Sequence, residues 1–384
     1  MSSSLGTAKT EARLRELRRA LHRIPELGKR EHKTQQLILG KLHEVKPDVV
    51  VPIDTGVKAV FFAKNPKADT LCFRADMDAL CIQEETGLPF QSCTPGVMHA
   101  CGHDGHTALL LEFAELLSAR REELPNHVVL LFQPAEEGLG GARDMIAGGA
   151  LKDPDVKAIF AFHLMPHIGQ GRIGIKSGGM MAAASGFDIT VQGKSTHAAT
   201  PHMGTDALLA AAQLVVQLQS VVSRHTDPFA PCVVSIGKIA GGEARNIVAQ
   251  EVRLQGTVRA YASALIEQTH SSIRAMAKGI EGMGVTTEFF EKTGYPAVLN
   301  DEKLAQKVKA LAGDMAFCPT PMLTADDFAY YQEEVPGLYM FLGCRNEEKD
   351  CVYPLHSSRF NFDEAALLPG LELFWRIALC GEMI

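Results

Sequence analysis

Near Gly179 the hydrophobic pattern of the chain changes period, and the change divides it. Before that point, apolar runs at 57–62, 71–74, 128–132 and 158–162 are short and continuous, the pattern of strands buried within a sheet. Helical stretches at 107–120 and 141–147 separate several of them, and helices at 8–23 and 31–45, their ends marked by Pro25 and Pro47, open the chain. This is the rhythm of a layered α/β sheet. Beyond Gly179, Phe187, Ile189 and Val191 alternate as a half-buried strand, and a helix follows at 205–222. Strands at 232–239 and 252–261, joined through Gly241 and Gly242, lead to a helix at 264–283 and a strand at 285–290. The order β-α-β-β-α-β is ferredoxin-like. After Gly294 the first rhythm returns, with a helix at 302–312, a strand at 338–342 and a last helix at 364–379. The expected organisation is an α/β domain at 1–178 and 292–384, interrupted by an α+β domain at 179–291. A length of 384 residues fits two domains, since a single core seldom grows past about 250–300 residues.

Hydrophobic residues make up 46% and charged residues 22%, the balance of a globular protein with real cores. The net charge of -7 is spread along the chain, which argues against nucleic acid as a partner. The first twenty residues are rich in Arg and Glu and lack an apolar run, so they read as a helix and not as a secretory signal. No stretch reads as the roughly eighteen consecutive apolar residues of a membrane span. A soluble, cytoplasmic protein with no membrane partner is expected. Nine cysteines without a Cys-x-x-Cys pair do not make a disulfide framework. Cys72, Cys81, Cys232, Cys344 and Cys380 lie in apolar segments and are expected as buried free thiols, with Cys101 the exception.

Cys101 stands in the run His-Ala-Cys-Gly-His-Asp-Gly-His-Thr at 99–107, just before an apolar helix. Cys101 and His103 are two apart around a glycine, so both can face one point, as metal ligands must. Taken alone, the run reads equally well as a polar loop with Asp104 capping the helix. A second constellation, Gln-Pro-Ala-Glu-Glu-Gly at 133–138, closes an apolar strand and puts adjacent carboxylates where α/β sheets place their ligands. If Glu137 binds a cation, Glu136 points elsewhere and is free to act as a base toward water. The plainer alternative is an exposed acidic turn. His163 follows the run at 158–162, and His356 follows 352–355. Each alone would be an ordinary structural histidine. Together with Cys101, His103 and Glu137 they offer N, O and S ligands from separate strand ends, enough for two metals sharing a bridge.

With these motifs in view, the chain resembles the dinuclear-metal peptidase and aminoacylase family. Hippurate hydrolase, plant indole-acetyl-amino-acid hydrolases and bacterial N-acetyldiaminopimelate deacetylase are members. The likeness runs through LHRIPELG at 21–28, RADMDAL at 74–80, MHACGHDGHT at 98–107, FQPAEEG at 132–138 and GKSTHAATPH at 193–202. It implies a zinc-peptidase-like α/β/α catalytic domain whose inserted ferredoxin-like domain serves as dimerisation and lid domain. Cys101 is then the bridge between two divalent ions, with His103, Glu137, His163 and His356 completing the set. More distant members use a bridging Asp and a His-x-Asp motif. Here Cys101 replaces the first and Arg74 occupies the place of that histidine, which marks the aminoacylase-like branch. Asp76 is expected to hold a ligand or the attacking water in place, its alternative being a sheet-end cap. His197 matches the histidine that reaches across the dimer to the scissile carbonyl oxygen, and Asn246 and Arg259 match groups that hold the substrate carboxylate. His202 is left with a role in fixing its loop.

The expected activity is metal-dependent hydrolysis of small N-acyl-L-amino acids of the N-acetyl or N-benzoyl type. N-acetyldiaminopimelate-like substrates are included, since 217–228 and 173–186 look most like those deacetylases. Zn or Mn is the expected metal, with Co and Ni also suited to mixed N, O and S ligands. Two alternatives stand beside this one. A metallo-dipeptidase or carboxypeptidase would cut the same kind of bond. A non-catalytic metal-binding protein would need no base at Glu136.

Overall fold

The computed structural model describes residues 8–384. Along the chain run α1 (Ala8–His22), α2 (His32–Val45), β1 (Val49–Ile53), β2 (Gly56–Phe61), β3 (Thr70–Asp76), α3 (His103–Ala119), β4 (His127–Gln133), α4 (Glu136–Leu139), α5 (Gly141–Ala147), β5 (Ala158–Gly169) and β6 (Ile173–Gly174). Then come β7 (Gly178–Met181), β8 (Ala183–Gln192), α6 (Ala207–His225), β9 (Cys232–Gly241), β10 (Glu251–Ala260), α7 (Ser263–Gly279) and β11 (Thr286–Lys292). The last stretch holds β12 (Val298–Asn300), α8 (Glu302–Ala312), β13 (Ala316–Phe317), α9 (Ala329–Glu334), β14 (Gly337–Arg345) and α10 (Leu367–Ala378). Two compact units result. One comprises the described residues up to Gly178 with Leu299–Thr320 and Asp327–Ile384, the other Gly179–Val298 with Pro321–Asp326.

The first unit is built on an eight-stranded sheet of order β1-β2-β4-β3-β5-β14-β6-β13. Its middle strands β4, β3, β5 and β14 are parallel, which requires crossover connections such as α3 between β3 and β4. Alternate residues of β3 face opposite ways. Leu71, Phe73 and Ala75 enter the core with Phe113 of α3 and Phe374 of α10, whose rings stand 4.9 and 4.8 Å from that of Phe73. Cys72, Arg74 and Asp76 take the other face, which is buried as well, and so the strand reads as one continuous run. The parallel strands β3 and β4 open on the same edge of the sheet, where the loops carrying the candidate residues begin.

Several sequence expectations shift. β1 adds an edge strand that the chain's pattern did not announce, Pro52 being tolerated where no partner strand needs its missing N–H. β5 runs on to Gly169, so His163 lies inside a strand and not at its end, because pairing with β14 continues as far as Arg345. Cys72 and Cys344 are buried as expected, but Cys81 is exposed and Cys232 and Cys380 are half-buried. Cys81 sits in the loop between β3 and α3, just beyond the isolated Leu80–Met98 bridge.

The second unit holds an antiparallel sheet of order β11-β8-β10-β9 with α6 and α7 on one face. Leu214, Leu218 and Val221 of α6 and Ile273 and Ala277 of α7 meet Phe187, Ile189, Val191, Val252, Leu254 and Val258 of the sheet. The unit extends past the expected boundary at 291: Tyr295 O accepts from Ala184 N–H at 2.9 Å, and Met322 exchanges bonds with Met180 and Ala182. By length and composition α6 is apolar enough to cross a membrane, which the sequence pattern had not suggested. Its apolar stripe packs on the sheet of this unit.

Candidate metal centre

β3 ends at Asp76, and the loop beyond it returns to the start of α3 at His103. Gly102, with φ 85°, turns the chain there, and a Cβ at that position would lie 3.0 Å from Leu164 Cδ1. The glycine lets Cys101 and His103 come off the turn toward one place. Sγ of Cys101 lies 3.4 Å from His163 Nε2. One ligand atom from each of Cys101, His103 and His163 stands within 4.8 Å of the others, and the same holds for Cys101, Glu137 and His356. Atoms bound at about 2.0–2.3 Å to one ion stand at most about 4.6 Å apart, so both trios come close to the dimensions of a half-site. Cys101 belongs to both. His356, in a segment without regular structure and with φ 64°, is brought in by its own N–H, which donates to Ala100 O at 2.8 Å. Its Nε2 is 3.2 Å from Glu137 Oε1.

The hydrogen bonds settle which nitrogens can bind a cation. His163 Nδ1 donates to Leu164 O at 2.8 Å, leaving Nε2 as a lone pair toward Cys101. His103 Nδ1 donates to Asp78 Oδ1 at 3.1 Å, and its buried Nε2 has no hydrogen-bond partner among the described residues. His106 is different: Nδ1 donates to Asp76 Oδ1 at 2.6 Å and Nε2 accepts from Leu164 N–H at 2.9 Å. With both nitrogens occupied, His106 is a brace and not a ligand, although Asp76, His103 and His106 also lie close together. Asp76 therefore ties His106 to Arg74 Nη1, which it meets at 2.6 Å, and touches His103 Nε2 only at 3.8 Å.

Charge at the site follows burial and neighbours. Burial pushes His163 down to about 3, holding the ring neutral as a ligand requires. Burial also opposes charge on His103, but Asp76 and Asp78 outweigh it and raise this group to about 10. Burial raises the Cys101 thiol well above its usual value, with the Glu137, Glu136 and Asp76 carboxylates adding to the effect. Burial disfavours the Asp76 carboxylate too, yet His103, His106 and Arg74 hold it well below the usual range. Carboxylates crowd a thiol, a neutral imidazole and an orphaned imidazole nitrogen. Divalent cations answer that arrangement: they compensate the carboxylates, take the orphaned nitrogen and displace the thiol proton. The donor set fits a pair of such ions.

Glu136 is buried, and one of its carboxylate oxygens lies within 4.8 Å of ligand atoms of His103 and Glu137. The segment is no exposed acidic turn. Asp104 lies inside the first turn of α3, where Gly102 is the N-cap; its Oδ2 accepts from Arg18 Nε at 2.9 Å and meets His22 Nδ1 at 2.7 Å, while Oδ1 accepts from Gly105 N–H at 2.9 Å. In the second unit, exposed His197 and Asn246 are neighbours through the bond from Ala198 N–H to Asn246 O at 3.0 Å. Arg259, on β10, is half-buried; burial alone lowers its pKa, with no carboxylate beside it among the described residues. His202 is exposed in a single turn at Pro201–Met203. Sequence reasoning passed over Asp78 and His106. Both had a signal, Asp78 in the acidic alternation of RADMD and His106 three residues after His103 on the same helix face.

Comparison with known proteins places this geometry among relatives. The profile of peptidase family M20/M25/M40 matches residues 72–379. A probable hydrolase of Synechocystis is 41% identical over 371 residues, covering 94% of this chain and 93% of that protein. N-acetyldiaminopimelate deacetylase of Bacillus velezensis is 38% identical over 362 residues, covering 92% and 95%. Among solved structures, a Bacillus subtilis protein described as a dinuclear metal binding peptidase from the M20 family superposes with a TM-score of 0.86 at 33% identity, covering 97% of this chain and 98% of the other.

Proposed function

The chain belongs to peptidase family M20/M25/M40 and is an amidohydrolase; from that premise we propose that it hydrolyses the amide bond of small N-acyl-L-amino acids at a two-metal centre. One observation carries the proposal: two trios of ligand atoms share Cys101, and Glu136 lies buried beside them without being needed by either. Cys101, His103, Glu137, His163 and His356 would hold the two divalent ions, Zn or Mn being the first choice for this mixed donor set and Co or Ni also suitable. Bound there, the ions would acidify a water and polarise the acyl carbonyl. Glu136 takes the proton from the attacking water and returns it to the leaving nitrogen, releasing a free amino acid and a carboxylic acid. Asp78 fixes the tautomer of His103, and Leu164 O fixes that of His163.

In the second unit, Arg259 and Asn246 hold the substrate carboxylate, a role that suits a half-buried guanidinium with no carboxylate partner. His197 donates to the developing oxyanion, acting in the site of a partner subunit in a homodimer. N-acetyl and N-benzoyl amino acids, N-acetyldiaminopimelate among them, are the proposed substrates.

Glu136→Gln is the decisive variant. It should keep both metal equivalents by elemental analysis while turnover falls at least about a hundredfold, the usual worth of a positioned base. Loss of metal with activity would mean that Glu136 and Glu137 have exchanged roles. The wild type, loaded in turn with each metal, is assayed on acetyl, benzoyl and longer acyl amino acids beside dipeptides. A clear preference for dipeptides would replace the proposal with a peptidase.

A further inference from the structure

The segment at 21–31 has no part in the reaction as described, yet it lies against both turns that build the site. Ala79 N–H, next to Asp78, donates to Glu26 O at 2.8 Å. A Cβ on Gly28 would come within 3.1 Å of Ala135 Cα, so the segment packs tightly on the residue before Glu136. Glu31 is fully buried, 104 positions from Ala135, and its carboxylate is divided between two donors. Oε1 accepts from Ala135 N–H at 2.8 Å and Oε2 from Thr55 Oγ1 at 2.7 Å.

Ala135 is in the left-handed region, φ 57° and ψ 41°, a conformation that a residue with a Cβ adopts only when its surroundings hold it there. Gly138 and Gly140 share that region with φ 86° and 70°, so the chain after β4 turns sharply three times within six residues. Three N–H groups along this stretch are taken by buried carboxylates from elsewhere: Ala135 by Glu31, Glu137 by Asp78 and Ala142 by Asp327. Asp78 thus orients the backbone of Glu137, and Glu31 holds the residue on the other side of Glu136.

We propose that Glu31 is a positioning residue for Glu136, holding Ala135 left-handed so that the base points at the metal centre. The inference rests on the reading of Glu136 as the base. Without Glu31 the Ala135 N–H would be buried and unpaired, and the backbone would relax toward an ordinary conformation, swinging the next side chain. A displacement near 1 Å can cost about a hundredfold in rate. The task is an acceptor at Ala135 and a contact to Thr55, which an amide also provides: Gln offers its oxygen to the N–H and its NH2 to the hydroxyl.

The test compares metal-loaded wild type with Glu31→Ala, Glu31→Gln and Glu31→Asp, measuring kcat, KM, metal content and thermal midpoint. Glu31→Ala should lower kcat about ten- to a hundredfold, with KM within about threefold and both metals retained. Glu31→Gln should stay within about threefold of wild type. Glu31→Asp keeps the charge but is one methylene short of spanning both donors, so it should lose kcat without KM, and it serves in place of Glu31→Ala if that variant does not fold. In a Glu136→Gln background, Glu31→Ala should cost nothing further, because the group it positions is gone. The proposal is overturned if Glu31→Gln is as impaired as Glu31→Ala, if Glu31→Ala matches wild type, if metal is lost, or if the double variant loses the product of both effects. Wild type inactive on every N-acyl amino acid would instead defeat the functional reading itself.

Discussion

Asp78 serves two parts of the site with one carboxylate: Oδ1 accepts from His103 Nδ1 at 3.1 Å, and Oδ2 accepts from Glu137 N–H at 3.0 Å. Its loss would free the His103 ring and slacken the backbone of Glu137, two of the proposed ligands, at once. Asp78→Ala should therefore weaken metal binding about 10–100-fold, the usual effect of removing a ligand's orienting partner; competition with a chelator measures it, and unchanged affinity would refute the assignment. Arg74 has a different character. Fully buried, it bonds Gln133 at 2.8 Å, Asp76 at 2.6 Å and Asp327 at 2.9 Å, so two buried carboxylates depend on one guanidinium. Arg74→Met fills similar volume but takes a buried positive charge away from both carboxylates. Destabilisation of about 3–5 kcal/mol is expected in chemical unfolding, far above what the same change would do at a surface arginine. Since Asp76 braces His106 from the same network, activity should fall with stability in this variant.

The turn from Pro134 to Gly141 is the element that places Glu136 and Glu137, and its glycines differ in kind. A Cβ on Gly141 would fall 1.8 Å from Pro134 O, a clash with backbone that no rotamer change relieves, whereas a Cβ on Gly138 meets open space and only the strain of φ 86°. Gly141→Ala should cost at least about 1–3 kcal/mol, as overpacking does, and should depress kcat by shifting the turn. Gly138→Ala should cost about 1–2 kcal/mol from its backbone conformation alone. Thermal and kinetic comparison of the pair checks the ordering, and equal effects would contradict it. In the other unit, α7 sets His270 against the sheet with its ring edge-on to Phe187 and Phe289 and Nδ1 3.5 Å from Glu291. Burial lowers its pKa, although Glu291 pulls the other way and Arg274 assists the lowering. The unfolded chain, near 6.5 for histidine, then takes the proton first. Below about that pH the unfolded state binds more protons, so stability is complete above it and declines as pH falls toward the folded pKa. His270→Leu should flatten this acid-side decline in melting temperature, and an unaltered pH profile would show that other groups cause it.

At the scale of the assembly, the proposed action of His197 in a partner's site makes a quantitative claim. Glu136→Ala and His197→Ala should each be inactive alone. After statistical subunit exchange half the dimers are mixed, and one of the two sites in each is complete, so about a quarter of wild-type activity should return. No recovery, with exchange confirmed independently, would assign His197 to its own subunit. Much of the molecule was legible from pattern. Strands such as β3 and β4 announce themselves as unbroken apolar runs because both their faces are buried, and α7 and β8 keep the periods of 3.6 and 2 that half-burial imposes. That Cys101 and His103 come together was legible because a glycine between them is a local arrangement. The extension of β5 beyond His163 was not, for it exists only while β14 pairs alongside. Nor could the sequence show that Glu31 meets Ala135, that His356 N–H reaches Ala100, or that Asp78 and not Asp76 orients His103. Periodicity records how a residue sits relative to water within its own helix or strand. Hydrogen-bond partners many residues apart are chosen by where the packed elements come to rest, and those positions are a property of the whole fold.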